Sequence, residues 1–228
     1  MLTYNKILRL LELILSFPKS FIVSWRLSSF RHAFKLPVKC RYNCKIVKTT
    51  GFIVGGGRIS IGFNRTGIYN PHVDRAILNV SGRLVLNGKL NLGAGSRLEV
   101  GQEGSLVING LVANSAATTI CCYDYIEFGD KTVISWETLI MDKDFHYIMS
   151  IDTGLTKPNH KPIVIGKGTW LCAGSKVLKG AVLPDGCILS AGSVLGKEII
   201  EKNSLLMGNP AEIVKRNVCR SDSEVSCS

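Results

Sequence analysis

The feature that most constrains the fold is a six-residue repeat between Ile163 and Leu195. Every sixth residue there is aliphatic, and glycines recur in between. A helix repeats its apolar face every three to four residues and a strand every two, so a sustained period of six fits neither. It is typical of a chain that runs a short strand, turns and repeats around a narrow core. The aliphatic positions are Ile165, Leu171, Val177, Leu183, Leu189 and Leu195.

The same spacing recurs upstream and predicts an all-β fold, a parallel β-helix. One run covers residues 80–98, a second, shifted by two residues, covers 100–112, and a third covers 128–140. Ordinary strands joined by glycine-rich turns are the plainer interpretation, but they do not explain six aliphatic residues in one phase. Aromatic residues make up only 7% of the chain, which suits a core too slim for many rings.

The pattern divides the chain into three parts. We expect a basic helical segment over residues 1–48 and the β-helix over 49–207. A long loop excursion interrupts the repeat at 141–164, and loops of that length in compact domains are usually functional. Residues 208–228 are expected to form a turn, a short helix and a disordered tail.

The amino-terminal segment holds most of the excess charge. Residues 1–48 carry ten Lys and Arg against one Glu, which is +9 of the net +11. Apolar residues recur at helical spacing over residues 5–17, a stretch too short to span a bilayer. Pro18 is expected to end this helix, and a second one is expected over residues 21–34.

Two compatible interpretations of this segment remain open. A basic amphipathic helix can rest on the anionic inner face of a membrane. It can also cap the open end of the β-helix with a solvated basic face. Either way we expect a cytoplasmic protein, associated with the membrane periphery in the first case.

The cysteines are scattered, and no paired CxxC blocks occur, which disfavours a zinc site. Cysteines inside the repeat fit as small hydrophobic side chains. We therefore expect reduced, structural thiols and a cytosolic chain. The eight positions are Cys40, Cys44, Cys121, Cys122, Cys172, Cys187, Cys219 and Cys227.

The excursion opens with the residues best suited to acid–base chemistry. His146 lies where the repeat breaks, shortly after Asp142 and Asp144. A carboxylate bonded to one imidazole nitrogen makes the other a better base. No Ser–His–Asp order and no three-histidine metal set is visible in the sequence, so we expect no metal. A general base without a nearby enzyme nucleophile is typical of direct attack by an activated substrate hydroxyl, as opposed to a covalent enzyme intermediate.

Two stretches of sequence carry a family resemblance. The stretch PIVIGKGTWLCAGSKVLKGAVLPDGCILSAGSVL, followed by GNPAEIVKR, resembles the carboxyl-terminal signature of the hexapeptide-repeat acyltransferases, which include galactoside and maltose O-acetyltransferases. That resemblance implies a left-handed β-helix, a homotrimer and acetyl-CoA as co-substrate. The phrase ISWETLIMDKDFHYI is similar to the branch that acetylates capsule and lipopolysaccharide sugars in bacteria. It implies a sugar O-acetyltransferase with a glycan acceptor.

The resemblance also implies roles for single residues. His146 matches the catalytic base, with Asp142 or Asp144 orienting it, and Asn114 matches a residue near the acceptor. Gly196 stands where the family has threonine and supplies no hydroxyl, and Glu212 stands where a related enzyme has arginine, so that arginine contact is not expected here. The implied acetyl-CoA contacts are Trp170, Ala173, Ala191, Gly196, Lys197, Lys215 and Arg216.

Other classes of function are weaker. A non-catalytic scaffold or membrane-docking assembly protein needs neither His146 nor Trp170. The net positive charge suggests nucleic-acid binding as a possible function class. No known nucleic-acid motif accompanies the charge, so we expect no nucleic-acid partner. A γ-type carbonic anhydrase on this fold would need a histidine set that is missing.

Overall fold

The computed structural model describes residues 4–63 and 66–221. In these residues the chain forms a parallel β-helix, with two helices at its amino-terminal end. Three sheets form the sides of the solenoid, because each strand pairs in parallel with the strand one coil away. The all-β prediction is confirmed.

The bounds of the elements follow the three sides. The helices are α1 (Tyr4–Leu27) and α2 (Phe30–Ala33). The first sheet contains β1 (Val38–Cys40), β4 (Arg58–Ile61), β7 (Lys89–Leu92), β10 (Leu111–Asn114), β13 (Thr132–Ile134), β18 (Trp170–Leu171), β21 (Ile188–Leu189), β23 (Ser204–Gly208) and β24 (Ala211–Arg216). The second contains β2 (Lys45–Thr49), β5 (Ile77–Val80), β8 (Arg97–Val100), β11 (Thr119–Cys122), β14 (Leu139–Met141), β19 (Lys176–Leu178) and β22 (Val194–Leu195). The third contains β3 (Phe52–Val54), β6 (Arg83–Leu86), β9 (Ser105–Ile108), β12 (Tyr125–Phe128), β17 (Ile163–Ile165) and β20 (Val182–Leu183). A separate hairpin pairs β15 (Ile148–Met149) with β16 (Thr156–Lys157).

The six predicted aliphatic residues line the core. All of them, from Ile165 to Leu195, are at most 1% exposed. Burial of each aliphatic side chain stabilises the folded state by about 1.5–3 kcal/mol relative to leaving it exposed. The residue two positions earlier also points inward and is small in the later coils, as at Ser175 and Ala181. Two inward positions per strand fill the narrow prism, both large in earlier coils such as β6 and β7, and one large and one small in the later coils.

The apparent slip in phase is a longer corner. Leu92 and Val100 occupy equivalent inward positions in β7 and β8, and Leu98 is the other inward residue of β8. Two extra residues in the turn between β7 and β8 therefore explain the slip. The core continues without interruption through it.

The amino-terminal helices differ from the prediction. Helix α1 continues past Pro18 to Leu27, and α2 is only four residues long. Proline removes one helical hydrogen bond, but Ser16 and Ser20, on either side of Pro18, are both bonded to the first coil. Contacts with the β-helix thus hold the helix on both sides of the proline. The first coil starts at Val38, inside the segment expected to be helical to residue 48.

The carboxyl-terminal segment also differs. Residues 211–216 form strand β24 instead of a short helix, and it pairs antiparallel with β23. The predicted turn at Gly208-Asn209-Pro210 reverses the chain, and the free edge of β23 then offers backbone partners to Ile213 and its neighbours. Residues 222–228, where most of the predicted disordered tail falls, lie outside the described residues.

Two further expectations concern cysteines and membranes. Cys219 is disulfide-bonded, so the expectation of reduced thiols fails there. Within residues 4–63 and 66–221, no helix is long and apolar enough to cross a membrane. The free cysteines are Cys40, Cys44, Cys121, Cys122, Cys172 and Cys187.

Candidate functional site

The excursion leaves the solenoid at the corner between the second and third sheets, and a buried carboxylate fixes its root. Asp142 is fully buried, with Oδ1 accepting the N–H of Tyr123 at 2.8 Å and Oδ2 that of Asp124 at 2.9 Å. Burial raises the pKa of this carboxyl above its ordinary value, and the two backbone N–H donors oppose the rise. Asp142 thereby ties the excursion to the coil beneath it.

The two arms of the excursion run side by side. Asp144 N–H donates to the Asn159 carbonyl at 2.6 Å, and Lys161 N–H donates to the Asp142 carbonyl at 3.0 Å. Lys179, on the next coil, extends its ammonium to 2.5 Å from Asp144 Oδ2 and 2.9 Å from the Pro158 carbonyl. One lysine thus holds both arms against the solenoid.

His146 lies on this excursion with its side chain exposed. Among the described residues, no hydrogen bond joins His146 to Asp142 or Asp144, because those carboxylates bind backbone N–H groups and Lys179 instead. The predicted orientation of the imidazole by a carboxylate is therefore not seen. Both carboxylates hold the segment that carries His146.

A different histidine does contact a carboxylate. His160 Nδ1 lies 2.9 Å from Asp124 Oδ2, in the return arm of the excursion. Both side chains are partly exposed. This pair makes His160 a rival to His146 as an acid–base residue, although the sequence offers it only as a member of a polar run.

Four lysines line a cleft of about 650 Å³ beside the excursion. We call it the lysine cleft. Its only acidic lining residue in the described chain is Glu198. Lysine ammonium groups bind phosphate oxygens by charge-assisted hydrogen bonds, so the cleft is suited to a polyanionic ligand. The lysines are Lys157, Lys161, Lys179 and Lys197.

Of the basic residues assigned to cofactor binding, only Lys197 lies in the lysine cleft. Its ammonium also lies 2.5 Å from Glu212 Oε1, and Gly196 is beside it in the lining. Arg216 binds Glu201 through Nε at 2.5 Å and Nη2 at 3.2 Å. Lys215 is exposed on β24. Any anion at Arg216 would have to displace Glu201.

The two alanines assigned to the pantetheine arm are brought together. Ala173 and Ala191 occupy the same turn in successive coils, at the corner between the first and second sheets, and Gly192 N–H donates to the Ala173 carbonyl at 3.0 Å. The third residue of each turn has positive φ, +67° at Gly174 and +69° at Gly192. Glycine adopts this conformation at little cost, so these two successive turns present small side chains.

Cys172 precedes these alanines and raises the question of a covalent nucleophile. Burial raises the pKa of its thiol to about 11. A thiol of that pKa is almost entirely protonated near neutral pH, and the thiolate is the reactive form. Cys172 therefore fits a structural role, as expected from the sequence.

Trp170 lies on the outer face of the first sheet. Its indole Nε1–H donates to Ser135 Oγ at 3.0 Å, and its ring is partly exposed. The first sheet is opposite the corner from which the His146 excursion leaves. Within one chain, His146 and Trp170 therefore lie on opposite sides of the three-sided solenoid.

Asn114 corrects the sequence prediction. It is only 2% exposed and points into the core, not toward an acceptor. Its Oδ1 accepts from Gly93 N–H and Ser96 Oγ, and its Nδ2 donates to the Ala116 carbonyl at 3.0 Å. These bonds satisfy backbone groups of a corner, so Asn114 is a structural residue.

The sequence missed the lysine cleft and the Asp124–His160 pair. Lys157 and Lys161 belong to the run KPNHK, and Lys179 lies two residues after the repeat residue Val177. The density of lysines was a usable signal, but only the fold shows that the excursion folds back over Lys179. No cluster of His, Cys, Asp or Glu in the described part of the chain could hold a metal ion.

Comparisons with known proteins bear on the family. No protein-family model matches the chain. It is 24% identical, over 81% of its length and 78% of the relative's, to an uncharacterized 24.8 kDa protein from the cps region of Klebsiella pneumoniae. It is 25% identical to WbbJ of Escherichia coli K12, named as an O-acetyl transferase of lipopolysaccharide biosynthesis, over 76% of this chain and 80% of that protein.

The relative named as an acetyltransferase supports an assignment of this chain to the hexapeptide-repeat acyltransferases. The three-sided parallel solenoid, its six-residue core period and its excursion agree with that assignment. In comparison with the crystal structure of NeuO, a polySia-specific acetyltransferase, this chain gives a TM-score of 0.45 at 16% identity. The match covers 83% of this chain and 79% of NeuO.

Proposed function

We propose that this acyltransferase moves an acetyl group from acetyl-CoA to a hydroxyl of a sugar in cell-surface polysaccharide biosynthesis. The observation that carries the proposal is an exposed imidazole, His146, on an excursion that Lys179 ties to the lysine cleft. The lysine ammonium groups would bind the phosphates of an anionic thioester donor, and His146 would accept the proton of a hydroxyl acceptor. The relative named for lipopolysaccharide biosynthesis supports a sugar acceptor.

In the proposed mechanism His146 is the general base. It takes the proton of a sugar hydroxyl while that oxygen bonds to the carbonyl carbon of the thioester. The carbon–sulfur bond then breaks, and the imidazolium returns the proton to the departing thiolate, which leaves an acetyl ester and free CoA. Asp142 and Asp144 position the segment around His146, through Tyr123 and Lys179.

The donor would be held by residues from two corners. The lysine cleft would bind phosphate groups by charge, with Lys197 exchanging Glu212 for the ligand. The turns at Ala173 and Ala191 leave room for the thin pantetheine arm to approach the backbone. Trp170 would line the same channel. Because acetyl-CoA is a cytoplasmic metabolite, the proposal places the reaction in the cytoplasm.

We also propose a homotrimer with shared sites. His146 and Trp170 lie on opposite sides of the solenoid in one chain. A complete site would therefore combine His146 of one copy with Trp170 of its neighbour. Co-expression of His146→Ala with Trp170→Ala then restores part of the activity that each variant lacks alone. Light scattering that gives an active monomer, or two variants that fail to complement, contradicts the shared site.

The function is tested by release of CoA thiol from acetyl-CoA over a panel of acceptors: free sugars, nucleotide sugars and lipid-linked saccharides. Thiol release with a saccharide, matched by a gain of one acetyl group in its mass, is the expected result. Binding of CoA without transfer to any saccharide, or no CoA binding, would favour the non-catalytic scaffold.

A further inference from the structure

Helix α1 packs against the β-helix through a row of serines, and Val23 and Leu27 join the core near its carboxyl-terminal end. Ser24 Oγ donates to the Val38 carbonyl and accepts the Val38 N–H, at 3.0 and 3.1 Å. Ser20 Oγ does the same for Cys40, at 3.1 and 3.0 Å. Ser16 Oγ accepts the Tyr42 N–H at 2.9 Å. Serines four residues apart thus take the place of a neighbouring strand along the open edge of β1, as the capping interpretation expects.

The opposite side of α1 is also apolar and faces outward, so much of the apolar surface of this helix stays uncovered. Leu15 is 62% exposed. A contiguous apolar surface of this kind marks an interaction site on a folded protein. Its members, which we call the outer face, are Ile7, Leu8, Leu10, Leu11, Ile14, Leu15, Phe17, Ile22 and Trp25.

Aromatic rings extend the outer face where α1 meets α2. Phe21 contacts Phe17, Phe30 and Phe34, with ring centroids 6.2, 5.9 and 5.2 Å away. Trp25 packs on Phe30 at 5.5 Å. Four of these five rings remain exposed, Phe34 to 66%. Exposed aromatic side chains are enriched where proteins meet the bilayer interface.

The charges around the outer face have one sign. The sole acidic residue of the first 48, Glu12, is buried against the solenoid and paired with Arg41. Five cations in the two helices and directly after them remain exposed, so the surface is complementary to an anionic partner. Two such faces brought together would oppose like charges, which disfavours a second copy as the occupant. The exposed cations are Lys6, Arg9, Arg26, Arg31 and Lys35.

We propose that the outer face of α1 docks on an anionic lipid bilayer, with the helix lying in the plane of the surface. A helix of this length spans about 36 Å, and it would insert its apolar side among the lipids while the serine side stays on the β-helix. Each basic residue near such a surface strengthens membrane binding, because it is attracted to the anionic headgroups. The cap and the docking surface are two sides of one helix, so the two interpretations of the sequence are combined.

Co-sedimentation of the full chain with vesicles tests this proposal independently of catalysis. Vesicles of phosphatidylcholine with phosphatidylglycerol should bind the protein at low salt, and vesicles of phosphatidylcholine alone should bind it weakly. Raising the ionic strength from about 0.1 M to about 1 M shortens the Debye length from about 10 Å to about 3 Å, so binding should weaken. Failure to bind the anionic vesicles at low salt overturns the proposal.

Two variants locate the surface. Leu11→Glu with Leu15→Glu should weaken partitioning about tenfold or more, because each buried leucine contributes a factor of that size. Ile200→Glu is the matched control, since Ile200 is 86% exposed at the other end of the chain. If the helix variant and the Ile200→Glu control lose vesicle binding equally, or if the helix variant binds vesicles as well as the parent does, the outer face is not the docking surface. A fall in oligomeric mass on light scattering, without vesicle binding by the parent, would identify a second copy as the occupant.

Discussion

Lys179 Nζ lies 2.5 Å from Asp144 Oδ2 and 2.9 Å from the Pro158 carbonyl oxygen, so one side chain joins both arms of the excursion that carries His146. The same ammonium lines the lysine cleft. In the proposed reaction it therefore acts on the position of the base and on the binding of the donor.

Lys179→Met should lower kcat/KM for acetyl-CoA by about ten- to hundredfold, because hydrogen bonds to charged groups contribute about 1.5–3 kcal/mol. Steady-state kinetics measure the loss. Lys202→Met is the matched control, since Lys202 pairs with Asp185 at 3.0 Å on another corner. Similar losses in both variants would contradict a specific role for Lys179.

The serine cap can be tested through stability. Ser24→Ala leaves the buried N–H and carbonyl of Val38 without their partner, which should cost about 1–3 kcal/mol. Urea unfolding followed by circular dichroism measures it. Ser28→Ala is the control, because the Ser28 hydroxyl bonds only within its own segment, at 2.6 Å to the Ser24 carbonyl. An unchanged midpoint for Ser24→Ala would show that the cap does not stabilise the solenoid.

The turn that presents Ala191 depends on glycine. Gly192 has φ +69°, and a residue with a Cβ there is strained by about 1–2 kcal/mol even though space is open. Gly192→Ala should therefore lower the midpoint of thermal unfolding. Gly56→Ala, at a position with open space and no positive φ, should leave it unchanged. Equal midpoints for the two variants would contradict the conformational argument.

The repeat made the architecture predictable, and the reason is physical. A period of six leaves few alternatives, and Leu171 and Leu189 are buried where the period places them. The helical ends were harder to predict because contacts with the solenoid decide them. Pro18 is a helix breaker in isolation, and the segment at Ile213 is a strand only because β23 has an open edge.

The site was predictable only in part. The excursion and its beginning at residue 141 follow from the break in the period. Asn114 was assigned to the acceptor because sequence does not show which way a side chain on a short strand points, and here it points inward. The lysine cleft unites residues from the excursion and from later coils, and such a cluster depends on how the excursion folds back.

The central claim is that His146 is the base, and His160 is the alternative that the geometry itself provides, through its contact with Asp124 at 2.9 Å. The most direct test compares acetyl transfer from acetyl-CoA by His146→Ala and His160→Ala, each with CoA binding measured separately. We predict that His146→Ala lowers kcat by about 10²–10⁴-fold with CoA binding retained, and that His160→Ala has a much smaller effect. Near-full activity of His146→Ala, with the large loss in His160→Ala instead, would contradict the proposed mechanism.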